Sequence, residues 1–180
     1  MNAPLALTFL RILSIPIVVI VLMVDFKGQE FTAFAIFLLA TLTDMLDGVW
    51  ARRKKQVTVL GQLLDPTADK LLVASVLICL VGRRTVPAWM AVIIIGREIA
   101  VTGFRAMASS KGINIPASPL GKIKMILETV TICILLLGEK NLGTLYSLSR
   151  VGLWLAIAAA LISAAQYYGK FGRAVISGRG

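Results

Sequence analysis

Four aspartates lie close together in the chain, within segments that are otherwise strongly apolar. The first pair, Asp44 and Asp47, is three residues apart, which places both side chains on one face of a helix. The second pair, Asp65 and Asp69, is four residues apart and shares a helix face in the same way. An ionised side chain in hydrocarbon costs roughly 2.5–3.5 kcal/mol on insertion scales. Four such side chains therefore require a cation to hold them.

The segment between the two pairs sets their relative depth. A short basic loop centred near residue 56 would make the two helices antiparallel. Asp47 and Asp65 each lie nine residues from this centre, and Asp44 and Asp69 lie twelve and thirteen residues away. With a rise of about 1.5 Å per residue, matching members of the two pairs reach similar depths. Carboxylate oxygens suit hard cations, so the pattern predicts Mg²⁺ or Mn²⁺, with coordination positions left for phosphate oxygens.

Small and basic residues accompany the aspartates. Gly48, Ala51 and Gly61 lie near the same helix faces, where small side chains let backbones approach closely or leave room for a ligand. Arg52 ends the first of these helices, and a guanidinium group can bind phosphate through two parallel hydrogen bonds. Helix packing alone would account for the small residues, and a single buried aspartate could pair with a lysine. Neither role accounts for the whole set.

The composition indicates a membrane protein. Of 180 residues, 58% are hydrophobic and the mean hydropathy is +0.87, which is far too apolar for a soluble domain. We therefore predict an all-α integral membrane protein with a single domain over residues 1–180. The chain has no histidine, which excludes histidine-based catalysis and histidine metal sites. Cys79 and Cys133 lie in apolar runs and are expected to be reduced packing residues.

The apolar segments predict about six transmembrane helices around a polar cavity that faces the cytoplasm. A span needs about 20 mostly apolar residues. The basic loop at residues 52–55 is expected on the cytoplasmic side, which places both termini there, in a cell inner membrane. The net charge of +10 then indicates loops beside anionic lipid rather than nucleic-acid binding. The first segment lacks the features of a cleaved signal peptide, so it is kept as a span. The six predicted segments are residues 7–25, 31–52, 61–81, 86–108, 120–138 and 148–169.

A second group of basic residues could bind another anion. Arg97 and Arg105 are eight residues apart, and therefore lie on one helix face. Arg105, Lys111, Lys122 and Lys124 would approach the same side of the membrane as Arg52 of the basic loop. The same cations could instead contact lipid headgroups, and Glu98 could form a structural ion pair with an arginine of another helix.

The aspartate segment resembles a known family. It matches the pattern D-x-x-D-G-x-x-A-R, eight residues, G-x-x-x-D-x-x-x-D at every fixed position. This pattern is typical of the CDP-alcohol phosphatidyltransferases, which transfer a phosphatidyl group from a CDP-linked lipid to an alcohol and release CMP. Residues 4–11, P-L-A-L-T-F-L-R, are similar to the family stretch P-N-x-L-T-x-x-R, with Leu5 in place of the asparagine. Residues 96–105 and 121–124 look like those of the phosphatidylglycerophosphate synthases, which join CDP-diacylglycerol to sn-glycerol 3-phosphate.

The resemblance implies roles for individual residues. Asp69 would be the general base and a further metal ligand, beside the metal ligands Asp44, Asp47 and Asp65. The implied contacts of the CDP-lipid are Thr8, Gly48, Ala51, Arg52, Thr58 and Gly61. The implied contacts of the acceptor's phosphate are Arg97, Arg105, Lys122 and Lys124.

These inferences lead to one expected function and several alternatives. We expect a membrane-embedded transferase with two divalent ions, which acts on CDP-diacylglycerol and glycerol 3-phosphate and, by resemblance, forms a homodimer. The acceptor could instead be phosphatidylglycerol, which would give cardiolipin, or an inositol phosphate. Aspartates within a membrane also occur in cation or proton-coupled transporters, although the chain lacks the internal repeats typical of that class. A helix-packing scaffold would leave the four acids unexplained.

Overall fold

The computed structural model describes the chain as a set of helices. It gives the backbone of residues 3–54, 59–113, 115–116 and 118–177, and the side chains of residues 8–43, 67–113, 115–116 and 118–175. No strand occurs in these ranges, so the all-α prediction is confirmed. The helices are α1 (Ala3–Met23), α2 (Gln29–Lys54), α3 (Val59–Gly82), α4 (Ala88–Ser110), α5 (Pro119–Leu142), a short 3-10 helix (Gly143–Ser147) and α6 (Leu148–Ser177).

Each of the six predicted segments overlaps one α-helix. Within the described ranges, however, no helix combines the length and the apolar character needed to cross a membrane. The transmembrane spans and the cytoplasm-facing cavity therefore stay predictions. The single domain over residues 1–180 also stays a prediction, and the chain divides into two compact units.

The first unit comprises residues 1–87 and 132–146. In it α1 packs against both α2 and α3. Val18 of α1, Phe37 of α2 and Val76 of α3 have no exposed surface and form part of its core. Burial of side chains of this size stabilises the fold by roughly 1.5–3 kcal/mol each. The turn between α1 and α2 is closed by Gln29, whose Nε2 donates a hydrogen bond of 2.9 Å to the carbonyl of Val21.

Helix α5 is broken at Gly138, within the first unit. Gly138 has φ = 73°, a left-handed conformation that glycine adopts without the penalty of a Cβ atom. The carboxylate of Glu30 lies against this break, because a Cβ atom at position 138 would lie 3.2 Å from its Oε1. Its Oε2 accepts a hydrogen bond of 2.6 Å from Nδ2 of Asn141. The start of α2 is thereby tied to the last turn of α5.

The second unit comprises residues 88–131 and 147–180, and α4 packs against α6 in it. Its apolar core contains Val101, Ala108, Ile115, Tyr167 and Val175. The tyrosine also has polar contacts, since its hydroxyl accepts a hydrogen bond of 2.8 Å from the amide of Ser118. At the other end of these helices, the rings of Trp89 and Trp154 lie 5.5 Å apart.

Helices α5 and α6 approach closely at Gly152 in the second unit. A Cβ atom at this position would lie 3.1 Å from Cγ2 of Thr131 and still closer to its Oγ1. The threonine has little freedom to move away, because it is buried and its hydroxyl donates a hydrogen bond of 2.6 Å to the carbonyl of Leu127. The contact between the two helices therefore depends on the absence of a side chain at position 152.

Gly152→Ala is expected to lower the stability of the fold by about 1–3 kcal/mol, the usual cost of overpacking a buried contact. The second substitution Thr131→Ala removes the two nearest atoms and should restore part of the loss. Thermal unfolding of the purified variants measures both effects. Gly169→Ala is the matched control, because it lies in α6 with no atom within 4 Å of the added Cβ. Equal melting temperatures for Gly152→Ala and wild type would contradict the close approach.

Candidate functional site

The two pairs of aspartates lie on helices that contact each other. Asp44 and Asp47 belong to the C-terminal half of α2, and Asp65 and Asp69 belong to the N-terminal half of α3. The two helices pack together in the first unit and are joined by residues 55–58, which lie outside the described ranges. Within each pair, the observed helical backbone and the spacing place both residues on one face.

Asp69 is the one member of the set whose side chain is described. It is half-buried, and its neighbours Ala68 and Leu72 are each only 1% exposed. Position 69 therefore lies at the border of the buried face of α3. The predicted ligand side chains of Asp44, Asp47 and Asp65 lie outside the described residues, so their roles stay predictions.

The donor set fits a hard divalent cation. Among the described side chains no group of three potential metal ligands occurs, but three of the four predicted ligands are not among those side chains. The four predicted ligand positions on the contacting helices α2 and α3 all carry carboxylates. All-oxygen donors of this kind favour Mg²⁺ or Mn²⁺ over metals that prefer nitrogen or sulfur.

The described residues among those predicted to contact the CDP-lipid belong to the first unit. Thr8 is buried in α1, with 1% of its surface exposed. The backbones of Gly48, Ala51 and Arg52 are helical in α2, and that of Gly61 is helical in α3. Thr58 lies outside the described residues.

An apolar groove between α1 and α2 was not predicted from the sequence. It has a volume of about 190 Å³, and its lining residue Thr43 directly precedes Asp44 in the chain. Arg11 contributes to the lining, and its Nε donates a long hydrogen bond of 3.5 Å to the carbonyl of Ala40. The other walls are mainly aliphatic, from Leu10, Leu13, Ile17, Ile36 and Leu39. Such a groove can hold a hydrocarbon chain.

A cluster of four charged side chains lies in the second unit, and we call it the Glu98 cluster: Arg97, Glu98, Lys124 and Glu128. The Oε1 atom of Glu98 lies 2.5 Å from Nη1 of Arg97 and also 2.5 Å from Nζ of Lys124. Lys124 forms a second ion pair with Oε2 of Glu128, one turn further along α5. Only 9% of the Arg97 side chain and 4% of the Lys124 side chain are exposed. The cluster therefore holds two buried cations and two carboxylates.

Arg97 is also fixed to α6. Its Nε donates a hydrogen bond of 3.1 Å to the carbonyl of Ala160, and its Nη2 donates to the hydroxyl of Ser163. Ser163 is completely buried. These contacts explain how a guanidinium group is accommodated in the packed interface of α4 and α6.

The four residues predicted to bind the acceptor's phosphate fall into two groups. Arg97 and Lys124 are brought together by Glu98. Arg105 and Lys122 are exposed and are not part of the cluster, and Nη2 of Arg105 donates a hydrogen bond of 3.2 Å to the carbonyl of Ile115. Their binding roles stay predictions.

The sequence allowed an ion pair for Glu98, and the structure identifies its partners. They are Arg97 of the same helix and Lys124 of α5, whereas the sequence pointed to an arginine of another helix. Glu128 was not assigned a role from the sequence. Its distance of four residues from Lys124 is the local signal for their pairing on one helix.

Comparison with known proteins shows the family to which the chain is similar. The family model described as CDP-alcohol phosphatidyltransferase matches residues 1–163. A Bacillus subtilis protein named CDP-diacylglycerol--glycerol-3-phosphate 3-phosphatidyltransferase is 36% identical over 94% of each chain. A Rickettsia felis protein of the same name is 34% identical over 93% of each chain. A Mycobacterium tuberculosis protein named probable phosphatidylglycerophosphate synthase is 37% identical over 70% of this chain and 61% of its own.

The match to the family model extends over the acidic pairs, the small residues that follow them and the Glu98 cluster. The first two relatives are similar along almost their whole length, so the similarity is not confined to one motif. The resemblance inferred from the aspartate pattern is therefore confirmed, and the chain belongs to the CDP-alcohol phosphatidyltransferase family.

Proposed function

We propose that the chain transfers the phosphatidyl group of CDP-diacylglycerol to sn-glycerol 3-phosphate, which gives phosphatidylglycerophosphate and CMP. The observation that carries this proposal is the complete acidic motif on two contacting helices, in a chain that matches a relative named for this reaction over 94% of its length. The reaction belongs to phospholipid biosynthesis.

The acidic pairs are proposed to hold two divalent ions, Mg²⁺ or Mn²⁺. Asp44, Asp47 and Asp65 would be ligands, and Asp69 would be a further ligand. Bound there, the ions would offset the negative charge of the diphosphate and of the departing CMP. Four aspartates on two contacting helices support this role, because their carboxylates would repel one another if they met without a cation.

Asp69 is proposed to accept the proton of the acceptor's hydroxyl group. The hydroxyl oxygen then bonds to the phosphorus of the phosphatidyl group, and the bond from that phosphorus to the oxygen of CMP breaks. A general base of this kind contributes about 10²–10⁴-fold to a rate. The half-buried position of Asp69 in α3 supports the assignment, because partial burial restricts the side chain to few directions.

The first unit is proposed to bind the lipid donor. Its contacts with the CDP-lipid would come from Thr8, Gly48, Ala51, Arg52, Thr58 and Gly61. The groove between α1 and α2 would receive part of an acyl chain, because its walls are aliphatic and its lining residue Thr43 directly precedes Asp44.

The second unit is proposed to bind the phosphate of the acceptor through Arg97, Arg105, Lys122 and Lys124. In the Glu98 cluster, one carboxylate oxygen lies within 2.5 Å of cations from two helices. This geometry supports anion binding, because a phosphate oxygen that replaced Oε1 of Glu98 would meet donors from the same two side chains. Arg105 and Lys122 are exposed, and their proposed role is to add positive charge for the same anionic acceptor.

We assign the protein to the cell inner membrane, with both termini and the active site on the cytoplasmic side, and expect it to be a homodimer. The apolar composition supports this location. Large aliphatic side chains are also strongly exposed, for example Ile78 at 62%, Val92 at 69% and Ile99 at 66%. Exposed apolar surface of this kind is typical of contact with lipid or with another protein chain.

The acceptor is tested by supplying each alcohol separately. Purified protein in detergent receives CDP-diacylglycerol with glycerol 3-phosphate, with phosphatidylglycerol or with an inositol phosphate, and CMP release is measured. We expect rapid release with glycerol 3-phosphate alone. Release with phosphatidylglycerol would instead identify a cardiolipin synthase, and no release with any acceptor would contradict the proposed transfer.

A further inference from the structure

The Glu98 cluster contains a carboxylate for which the proposed reaction has no direct use. Glu98 is negatively charged, so it would not itself attract an anionic acceptor. We infer that Glu98 is a positioning residue, which holds Lys124 beside Arg97 so that both cations can contact one phosphate group. The inference rests on the proposed function, because it concerns how the acceptor's phosphate is bound.

The first support is that the two cations share a single oxygen atom. Nη1 of Arg97 and Nζ of Lys124 each lie 2.5 Å from Oε1 of Glu98. The two nitrogen atoms therefore lie no further apart than twice that distance. Arg97 belongs to α4 and Lys124 belongs to α5. Glu98 thus joins cations from two helices at the spacing that one phosphate requires.

The second support is electrostatic. Two cations this close repel each other, and the repulsion is stronger where water is largely excluded. The side chains of Arg97 and Lys124 are almost completely buried, so solvent screens them little. A carboxylate between them offsets the repulsion while the acceptor's site is empty.

The third support is the competition for Lys124. Glu128 lies one turn further along α5 and pairs with the same ammonium group. If Glu98 lost its charge, Lys124 would stay with Glu128, on its own helix. Arg97 would not move with Lys124, because its guanidinium donates hydrogen bonds to the carbonyl of Ala160 and the hydroxyl of Ser163 in α6. The two cations would therefore separate.

Two substitutions with the same change in net charge test this role. Glu98→Gln and Glu128→Gln each remove one negative charge from a partner of Lys124. We expect Glu98→Gln to raise the KM for glycerol 3-phosphate about tenfold, with kcat and the KM for CDP-diacylglycerol little changed. Glu128→Gln should not raise the KM for glycerol 3-phosphate, because Lys124 is then held by Glu98 alone, beside Arg97.

Three outcomes would overturn the inference. If both variants lower the KM for glycerol 3-phosphate equally, net charge alone decides binding. If both variants raise this KM equally, loss of either carboxylate disturbs the site. A lower melting temperature of Glu98→Gln with an unchanged KM would mean that Glu98 only stabilises the fold. If Glu98→Gln does not fold, Glu98→Asp replaces it, because the shorter carboxylate keeps the charge but reaches Lys124 less well, and a smaller rise in KM is expected.

Failure of this inference differs from failure of the proposed function. Wild-type protein that releases no CMP with glycerol 3-phosphate would contradict the function itself. An active wild type whose acceptor KM is unchanged by Lys124→Met would contradict the assignment of the acceptor site. If the wild type is active and Lys124→Met raises the KM for glycerol 3-phosphate, but Glu98→Gln does not, only the positioning role is contradicted.

Discussion

Asp69→Asn is expected to lower kcat about a thousandfold, the middle of the range for loss of a general base. Asparagine keeps the size of the side chain and an oxygen that accepts hydrogen bonds, but it cannot take a proton from the acceptor's hydroxyl group. The measurement is CMP release at saturating CDP-diacylglycerol and glycerol 3-phosphate. The KM for CDP-diacylglycerol should change much less than kcat, because the other contacts of the lipid remain.

The control for this substitution is Asp25→Asn, which removes an exposed carboxylate in the turn between α1 and α2. It should leave kcat unchanged. If Asp69→Asn retained wild-type kcat, proton transfer would have to be assigned to another group.

Removal of divalent cations by EDTA is expected to reduce CMP release to the background rate. The proposed ions supply several kcal/mol of charge stabilisation in the transition state, which corresponds to at least about a hundredfold in rate. Addition of excess Mg²⁺ or Mn²⁺ should restore activity. Asp47→Asn should lower the affinity for the added cation, measured as the concentration that restores half of the activity.

Two further measurements make the metal experiment decisive. The melting temperature with and without EDTA establishes that the protein stays folded during the assay. Asp25→Asn should show the same cation dependence as wild type, because its carboxylate is not part of the proposed site. Full activity in EDTA would contradict the predicted metal site, whatever the effect of Asp69→Asn.

The sequence predicted the helices because their apolar lengths are a local property, but it predicted their ends less well. The sixth predicted segment stopped at residue 169, whereas α6 continues to Ser177. Lys170 and Arg173 made this stretch look like a loop when apolar length was the criterion. Both residues are good helix formers, and so a charged stretch can extend an apolar helix.

The arrangement of the candidate site was predictable where its residues are close in sequence, either within one helix or on two helices joined by one short loop. The acidic pairs meet this condition, and the contact between α2 and α3 agrees with it. The ion pair of Glu98 with Lys124 does not, because the two residues are 26 positions apart and on different helices. The groove between α1 and α2 could not be predicted from a sequence motif, because it results from incomplete packing of the apolar surfaces of the two helices.

The family membership also decides between the functions that the sequence left open. Buried aspartates alone are compatible with a transporter. The complete motif, together with relatives named as phosphatidyltransferases over nearly the whole chain, favours the enzyme.

The exposed walls of the groove between α1 and α2 bear on how the donor reaches the enzyme. Leu13 and Leu39 line the groove, yet 60% and 63% of their surfaces are uncovered. A groove that is open along its side admits a hydrocarbon tail by lateral diffusion, without passage of that tail through water. With the proposed function and the proposed membrane location, CDP-diacylglycerol would enter the groove sideways from lipid, and the lipid product would return by the same route while the water-soluble CMP leaves separately.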